Sequence, residues 1–383
     1  MIVLTCKSVY PNQAACGGYL QLLFTLCCIF LIGSLLPGDV DADSQKQESV
    51  LRIVGWDVYA DPEHRDKTIG FREFETEHGV RIEFTPLNNL DEIVSAAESP
   101  TAYDIFIISN EGIKILHDMG LVLPLDLSKI PHYQDLHFSL RYNEWSQFDS
   151  RVYAVPWAWG PTGLLFDASV ISDPVSWNVL WDPRYKGRVS LWDDVSMIWV
   201  AALSLGYHNV YNLTRQQLAE VKRKLLALNE QVYGYYSGEQ EALEYILDGK
   251  AVVLNSWFDP SGRLREHERN FKMVIPREGA VGMFDSYLIS GRTDKADIAH
   301  AYINNQLRPM IQRQMVRITG LSPANIETMG LLTPYEIKSL HLDEADYFNR
   351  MILWDVMPRK HLYEAVLKEV REEFMSHRQP EIH

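Results

Sequence analysis

The chain has 383 residues, 46% hydrophobic and 23% charged, with 51 acidic against 36 basic side chains and a formal net charge of −15. So high an apolar fraction excludes a disordered chain, and the length fits one large or two medium domains. An acidic chain without a basic block lacks the footprint of a nucleic-acid binder, and its acidity favours cationic partners only weakly, since net charge mostly reports solubility.

The N-terminal segment reads as a leader. Residues 19–36, YLQLLFTLCCIFLIGSLL, form an uncharged apolar run preceded by a single basic residue, Lys7. Pro37, Gly38 and the small-residue pattern Val40-Asp41-Ala42 follow, which suits signal peptidase, so a signal peptide is expected over 1–42. The competing reading is an uncleaved anchor, because the run reaches the lower edge of a spanning length. Cys6, Cys16, Cys27 and Cys28 all lie within this leader, and neither Cys27 nor Cys28 sits in a lipobox. The body therefore has no cysteine for a disulfide framework or a zinc site. It is expected to be exported to the periplasm and soluble.

Next come LRIVGWDVY (51–59), a strand ending on aromatics; KTIGFREFETEH (67–78), an amphipathic helix; and VRIEFTPL (80–87), a second strand. NLDEIVSAAES (89–99) is helical in pattern, and 103–108 is a third strand ending at Ser109. This alternation predicts a parallel sheet covered on both faces, with ligand beyond the carboxyl ends of its strands. A second unit starts after VPWAWG (155–160). It holds strands at 187–192, 250–257 and 271–276 and a long helix over 213–229. A strand at 287–291, a helix over 295–307 and a C-terminal helix over 358–375 complete the pattern. No linker of low complexity separates the units, so two α/β lobes that exchange the chain more than once are expected, with ligand between them.

Enzymatic signatures are sparse: GxSxG, HExxH, the Walker loop and GxGxxG are all absent from the sequence. The twelve histidines form no spaced ligand set in the body. Asp193-Asp194 could be a glycosidase pair, but adjacent residues at a strand end diverge, and a turn or helix cap fits Asp193 as well. More telling, Trp56, Tyr59, Trp257 and Phe284 sit near Asp57, Glu111, Asp194, Asp259 and Asp285 at the expected strand ends. Aromatic walls with carboxylates at their ends suit an extended organic cation through stacking, cation–π attraction and charge-assisted hydrogen bonds. The competing reading makes the tryptophans core and the acids exposed caps.

WAWGPTGLLFD (157–167) followed by SWNVLWDPRYKGRVSLWDD (176–194) resembles the central region of spermidine/putrescine-binding periplasmic proteins. The likeness extends through GKAVVLNSW (249–257), IPREGAVGMFDSYLIS (275–290) and NNQLRPMIQRQMVRITGLSPAN (304–325), with GWDVY at 55–59. It implies a two-lobed periplasmic-binding-protein fold of type II with a hinged cleft, feeding an ABC transporter. The implied partition is lobe 1 over 50–158 and 284–330, and lobe 2 over 159–283 and 331–376. The implied ligand contacts are Trp56, Asp57, Tyr59, Ser109, Glu111, Asp194, Trp257, Asp285 and Asp355. Among them, Asp194 and Asp285 would receive amines and Trp257 would stack on methylenes. Glu111 stands where the family usually has an aromatic, Met197 and Met283 where a second acid and a second cleft tryptophan are common, and Leu321 replaces an aromatic.

The expected function is a periplasmic receptor for a polyamine-like cation that delivers it to an ABC permease. It would be monomeric and non-enzymatic, without cofactor or metal and without nucleic-acid partners. The alternative is a polyamine sensor that regulates a membrane signalling protein. A hydrolase would need a nucleophile or paired carboxylates in the cleft, and a metal-ion receptor would need clustered Tyr/His ligands.

Overall fold

The computed structural model describes residues 49–60, 69–87, 89–99 and 103–376, so the leader expected over 1–42 lies outside the described residues. The first lobe grows from strand β1 (Ser49–Trp56), helix α1 (Phe71–His78), β2 (Val80–Leu87), α2 (Leu90–Glu98), β3 (Ile105–Ser109) and α3 (Asn110–Asp118). β2 and β3 flank β1, both parallel to it. Asn89 caps α2 by accepting from the Glu92 amide at 2.9 Å. β3 is buried along its whole length, which explains why Ile105 to Ile108 read as a continuous apolar run. A short helix α4 (Phe138–Arg141) and a small hairpin, β4 (Gln147–Phe148) with β5 (Arg151–Val152), then lead into β6 (Val155–Pro161).

At Thr162 the chain leaves the first sheet. β7 (Gly163–Asp167), β8 (Val189–Trp192), α5 (Ser196–Ser204), α6 (Arg215–Asn229), β9 (Val232–Tyr236), α7 (Glu239–Leu247), β10 (Val253–Ser256), α8 (Ser261–Glu266) and β11 (Phe271–Val274) build the second lobe. Its five strands run in the order β11-β7-β10-β8-β9. Thr214 and Gln217 form a reciprocal capping box at the start of α6. α5 is buried on nearly every side, so it shows no amphipathic pattern in the sequence.

The chain returns to the first sheet as β12 (Ala280–Ile289), a strand expected only over 287–291. Its first residues, AVGMFD, are buried between neighbours on both edges, so they lack the alternation that marks a half-exposed strand. Next come α9 (Ala296–Gln306), α10 (Pro309–Thr319), β13 (Ser322–Pro323), α11 (Pro334–Ser339) and β14 (Met351–Leu353). The first sheet reads β13-β6-β12-β3-β1-β2, with β14 parallel to the start of β12. α12 (Lys360–Ser376) then packs on α6. Three passages thus join the sheets, at Thr162, between β11 and β12, and between β14 and α12. No helix among the described residues is long and apolar enough to cross a membrane.

One apolar cluster runs under both sheets, and a smaller one lies behind the second. The lobes also meet at Gly320, which ends α10 with φ +69° and lies so close to Asp259, past β10, that a β-carbon would overlap its carbonyl. Gly320→Ala therefore meets both left-handed backbone strain and a backbone clash. It is expected to lower unfolding free energy by at least about 2 kcal/mol, read by urea denaturation.

Candidate functional site

β1 ends at Trp56, and Asp57 to Tyr59 turn as a single 3-10 turn rather than continuing the expected strand. β3 ends at Ser109. β12 runs antiparallel to β3 and sets Asp285 directly opposite Ser109, one residue before a register break against β6. Asp285 therefore lies in mid-strand and reaches the site because its neighbour ends there. Its carboxylate gathers three neutral donors: Trp56 Nε1 at 3.1 Å, Ser109 Oγ at 2.6 Å and the Tyr59 hydroxyl. Burial raises its pKa and outweighs these three hydrogen bonds, which pull the other way. Burial and the Asp285 charge push the Tyr59 phenol well above its ordinary value, so it stays a donor. Trp157 holds the Tyr59 ring edge-on at 4.7 Å.

The second cluster belongs to the other sheet. Asp194, past the end of β8, accepts the Ser196 amide and Trp257 Nε1, both at 2.8 Å, together with the Ser196 hydroxyl. Asn255 on β10 ties this turn together, donating to Ser196 Oγ at 2.9 Å and accepting from the Trp192 amide at 2.9 Å. Burial lifts Asp194 to about 6 despite these donors. Asp193 turns away and takes Arg371 of α12, so the two adjacent acids do not form a catalytic pair.

An aromatic group adjoins the second cluster. Trp257 stacks on Trp354 with centroids 5.3 Å apart and planes 17° apart. Trp199 stands edge-on to both, and Tyr211 edge-on to Trp199. The Trp354 amide donates to Gly282 O at 2.7 Å and its carbonyl accepts from Asn110 Nδ2, so its backbone is held by the first lobe while its ring docks on the second. Glu111, in the first turn of α3, is 3% exposed, and neither carboxylate oxygen has a hydrogen-bond partner. Asp355 is exposed and bonds only the adjacent Val356 amide among the described contacts.

Of the nine expected residues, Trp56, Tyr59, Ser109 and Asp285 thus converge on one carboxylate, and Asp194 and Trp257 on another. Asp57 is exposed and lines a cavity of about 760 Å³, together with Tyr59, Arg263, Arg313 and Arg317. Phe284 is fully buried with its ring near Trp145, and Asp259 accepts the Ser261 amide at 2.9 Å just before α8, so both serve the fold rather than an aromatic cage. Trp199 and Tyr211 had no sequence signal: one sits in a uniformly apolar helix, the other in a loop. Among the described residues no group of three or more His, Cys, Asp or Glu could hold a metal ion.

A protein-family model described as bacterial extracellular solute-binding protein matches residues 101–346. The chain belongs to that family. This solute-binding protein is 23% identical over 348 residues to the spermidine/putrescine-binding periplasmic protein of Escherichia coli (strain K12), covering 88% of this chain and 96% of the relative. It is 22% identical over 327 residues to a putrescine/cadaverine-binding protein of Pseudomonas aeruginosa, covering 82% and 88% respectively. Among solved structures, a putative spermidine/putrescine ABC transporter protein from Listeria monocytogenes matches with TM-score 0.72 at 23% identity, over 86% of this chain and all of that one. A spermidine/putrescine ABC transporter substrate-binding protein from Streptococcus pneumoniae matches with TM-score 0.71 at 23% identity, over 85% of this chain and 100% of that one. These likenesses establish the two-lobed type II periplasmic-binding fold. In this solute-binding protein Met197, Met283 and Leu321 are all buried.

Proposed function

We propose that this solute-binding protein closes around a linear polyamine-type cation in the periplasm and hands it to an ABC permease, without chemical turnover. The observation that carries this reading is a pair of carboxylates, Asp285 in the first lobe and Asp194 in the second. Each is held by neutral donors and has no lysine or arginine ion pair among the described residues. Asp104 makes the contrast: as buried as Asp285, it has the Lys295 ammonium at 3.3 Å. A charge held only by neutral dipoles is costly to bury, and an ammonium on the ligand relieves that cost.

In this reading one ammonium sits at Asp285 beside Trp56, Tyr59 and Ser109, and another at Asp194. The methylenes lie on Trp257, with Glu111 between the ends. Asp57 and Asp355, both exposed, add only to the field at the mouth. The proposed lobes are 50–158 with 284–330 and 159–283 with 331–376, except that residues 159–161, 280–283 and 351–354 are held by the first sheet. Ligand bridging both lobes stabilises the closed form by hinge motion at the three passages. A cleaved leader over 1–42 and a monomeric state complete the proposal. The transporter setting follows the relatives, whose names speak for uptake rather than signalling.

Calorimetric titration with spermidine, norspermidine, putrescine and cadaverine tests the reading. At least one is expected to bind and to raise the thermal midpoint; binding by none overturns it. Trp257→Ala is expected to weaken binding roughly 10- to 100-fold, the usual cost of removing a large ring from a desolvated contact. The same titration reads it.

A further inference from the structure

Glu111 is a buried acid whose carboxylate oxygens meet no donor from another residue among the described contacts. Its backbone position is well determined: the preceding residue, Asn110, accepts from the Phe284 amide at 3.2 Å and donates to the Trp354 carbonyl. Glu111 is thereby held beside the strand that carries Asp285 and beside the segment that carries Trp354. The charged and titratable groups acting on it are Asp285 on β12, Asp355 after β14, Lys360 on α12 and the Tyr211 phenol. Lys360 does not neutralise it, because its ammonium is committed to Asp91 at 2.7 and 2.9 Å. Two neighbours are acids, which a structural role would not favour. Burial, reinforced by Asp285 and Asp355, raises its pKa to about 8. Ionising a side chain so placed is unfavourable, and an arriving cation relieves that cost.

We propose that Glu111 determines specificity: it accepts an ammonium lying between the ends of the ligand, so the receptor favours a linear triamine over a diamine. This rests on the function proposed above. A diamine anchored at Asp285 and Asp194 has only methylenes to set against Glu111, whereas a triamine offers a third charge. The proton balance follows. In the empty protein the carboxyl holds a proton at neutral pH; when an already protonated amine arrives, that proton leaves to solvent and the carboxylate pairs with the ammonium. Up to one proton is released per triamine bound.

The test is calorimetry of wild type and Glu111→Gln with spermidine and norspermidine against putrescine and cadaverine, at pH 7, each in phosphate and in HEPES to read proton release. The expected result is tighter triamine binding by wild type with proton release. In Glu111→Gln, triamines weaken by roughly 30-fold or more, diamines change by less than about 3-fold, and proton release is lost. If Glu111→Gln does not fold, Glu111→Asp, which keeps the charge but shortens the reach, is expected to retain proton release and to lose part of the discrimination. Equal binding of both classes by wild type, equal weakening of both by the variant, or triamine binding without proton release overturns the assignment alone. Failure of all four amines to bind wild type overturns it together with the proposed function.

Discussion

Asp285→Asn is expected to weaken polyamine binding by roughly 30- to 4,000-fold, the range found when one member of a buried, hydrogen-bonded charge pair is removed. The empty protein is expected to fold unchanged. Asparagine keeps the shape of the side chain; its carbonyl still accepts from Trp56 or Ser109, and the Tyr59 hydroxyl rotates to accept from the new amide. Burial disfavours the Asp285 charge, so removing that charge relieves the unliganded state. The measurement pairs calorimetry with a thermal melt: lost affinity with an unchanged or higher melting temperature is the signature. A parallel drop in affinity and melting temperature would make Asp285 a structural residue instead. Asp57→Asn is the control, expected to change affinity by less than about 3-fold, because its carboxylate is exposed and screened.

The second large effect is on stability against pH. Glu111 titrates near 4.5 in an unfolded chain and at about 8 in the folded protein. The folded state therefore binds more protons than the unfolded state across that window, and stability falls as pH rises. The contribution is fully present below pH 4.5 and is lost through pH 8, about 5 kcal/mol at most. Asp194, raised from 3.8 to about 6, acts in the same direction over a lower window. Chemical denaturation of wild type and Glu111→Gln at pH 5 and pH 8.5 isolates the first term: the variant is expected to be the more stable protein at pH 8.5 and to lose that advantage at pH 5. No crossover between the two pH values would show that Glu111 is solvated or paired in solution.

Both effects belong to the region where the two lobes meet. The Trp257–Trp354 stack places a ring carried by the first lobe against one carried by the second, and the Tyr211 hydroxyl reaches the Ile352 carbonyl at 3.1 Å. Ligand entering along Trp257 must share or replace that ring contact. The three chain passages between the sheets give the lobes a hinge rather than a loose tether.

The chemistry of the site was present in the sequence as residue types, and so were most elements. Alternating strands and helices from 51 to 109 set the parallel start of the first sheet, because those contacts are local or between consecutive units. The apolar runs at 103–108 and 155–160 were equally legible. Three features were not. The length of β12 was hidden because a strand covered on both edges and both faces carries no alternation. The turn at Asp57 was hidden because GWDVY reads as strand, yet β1 loses its partner when the pairing with β2 ends at Trp56 and Leu87. Which acids converge was also hidden.

Asp285 meets Trp56 and Ser109 across 229 and 176 residues of chain, and Asp194 meets Trp257 across 63. No local propensity encodes such pairings; they arise when sheet order and register bring distant strand ends together. Composition and motif by themselves determined that this protein carries aromatics and acids suited to a cation, in two α/β lobes. Tertiary structure alone decided that Asp285 and Asp194 are saturated with neutral donors, that Phe284 and Asp259 serve the fold, and that Glu111 is buried without a partner. Burial and hydrogen-bond satisfaction are properties of what surrounds a side chain, and those surroundings come from chain segments far apart in sequence.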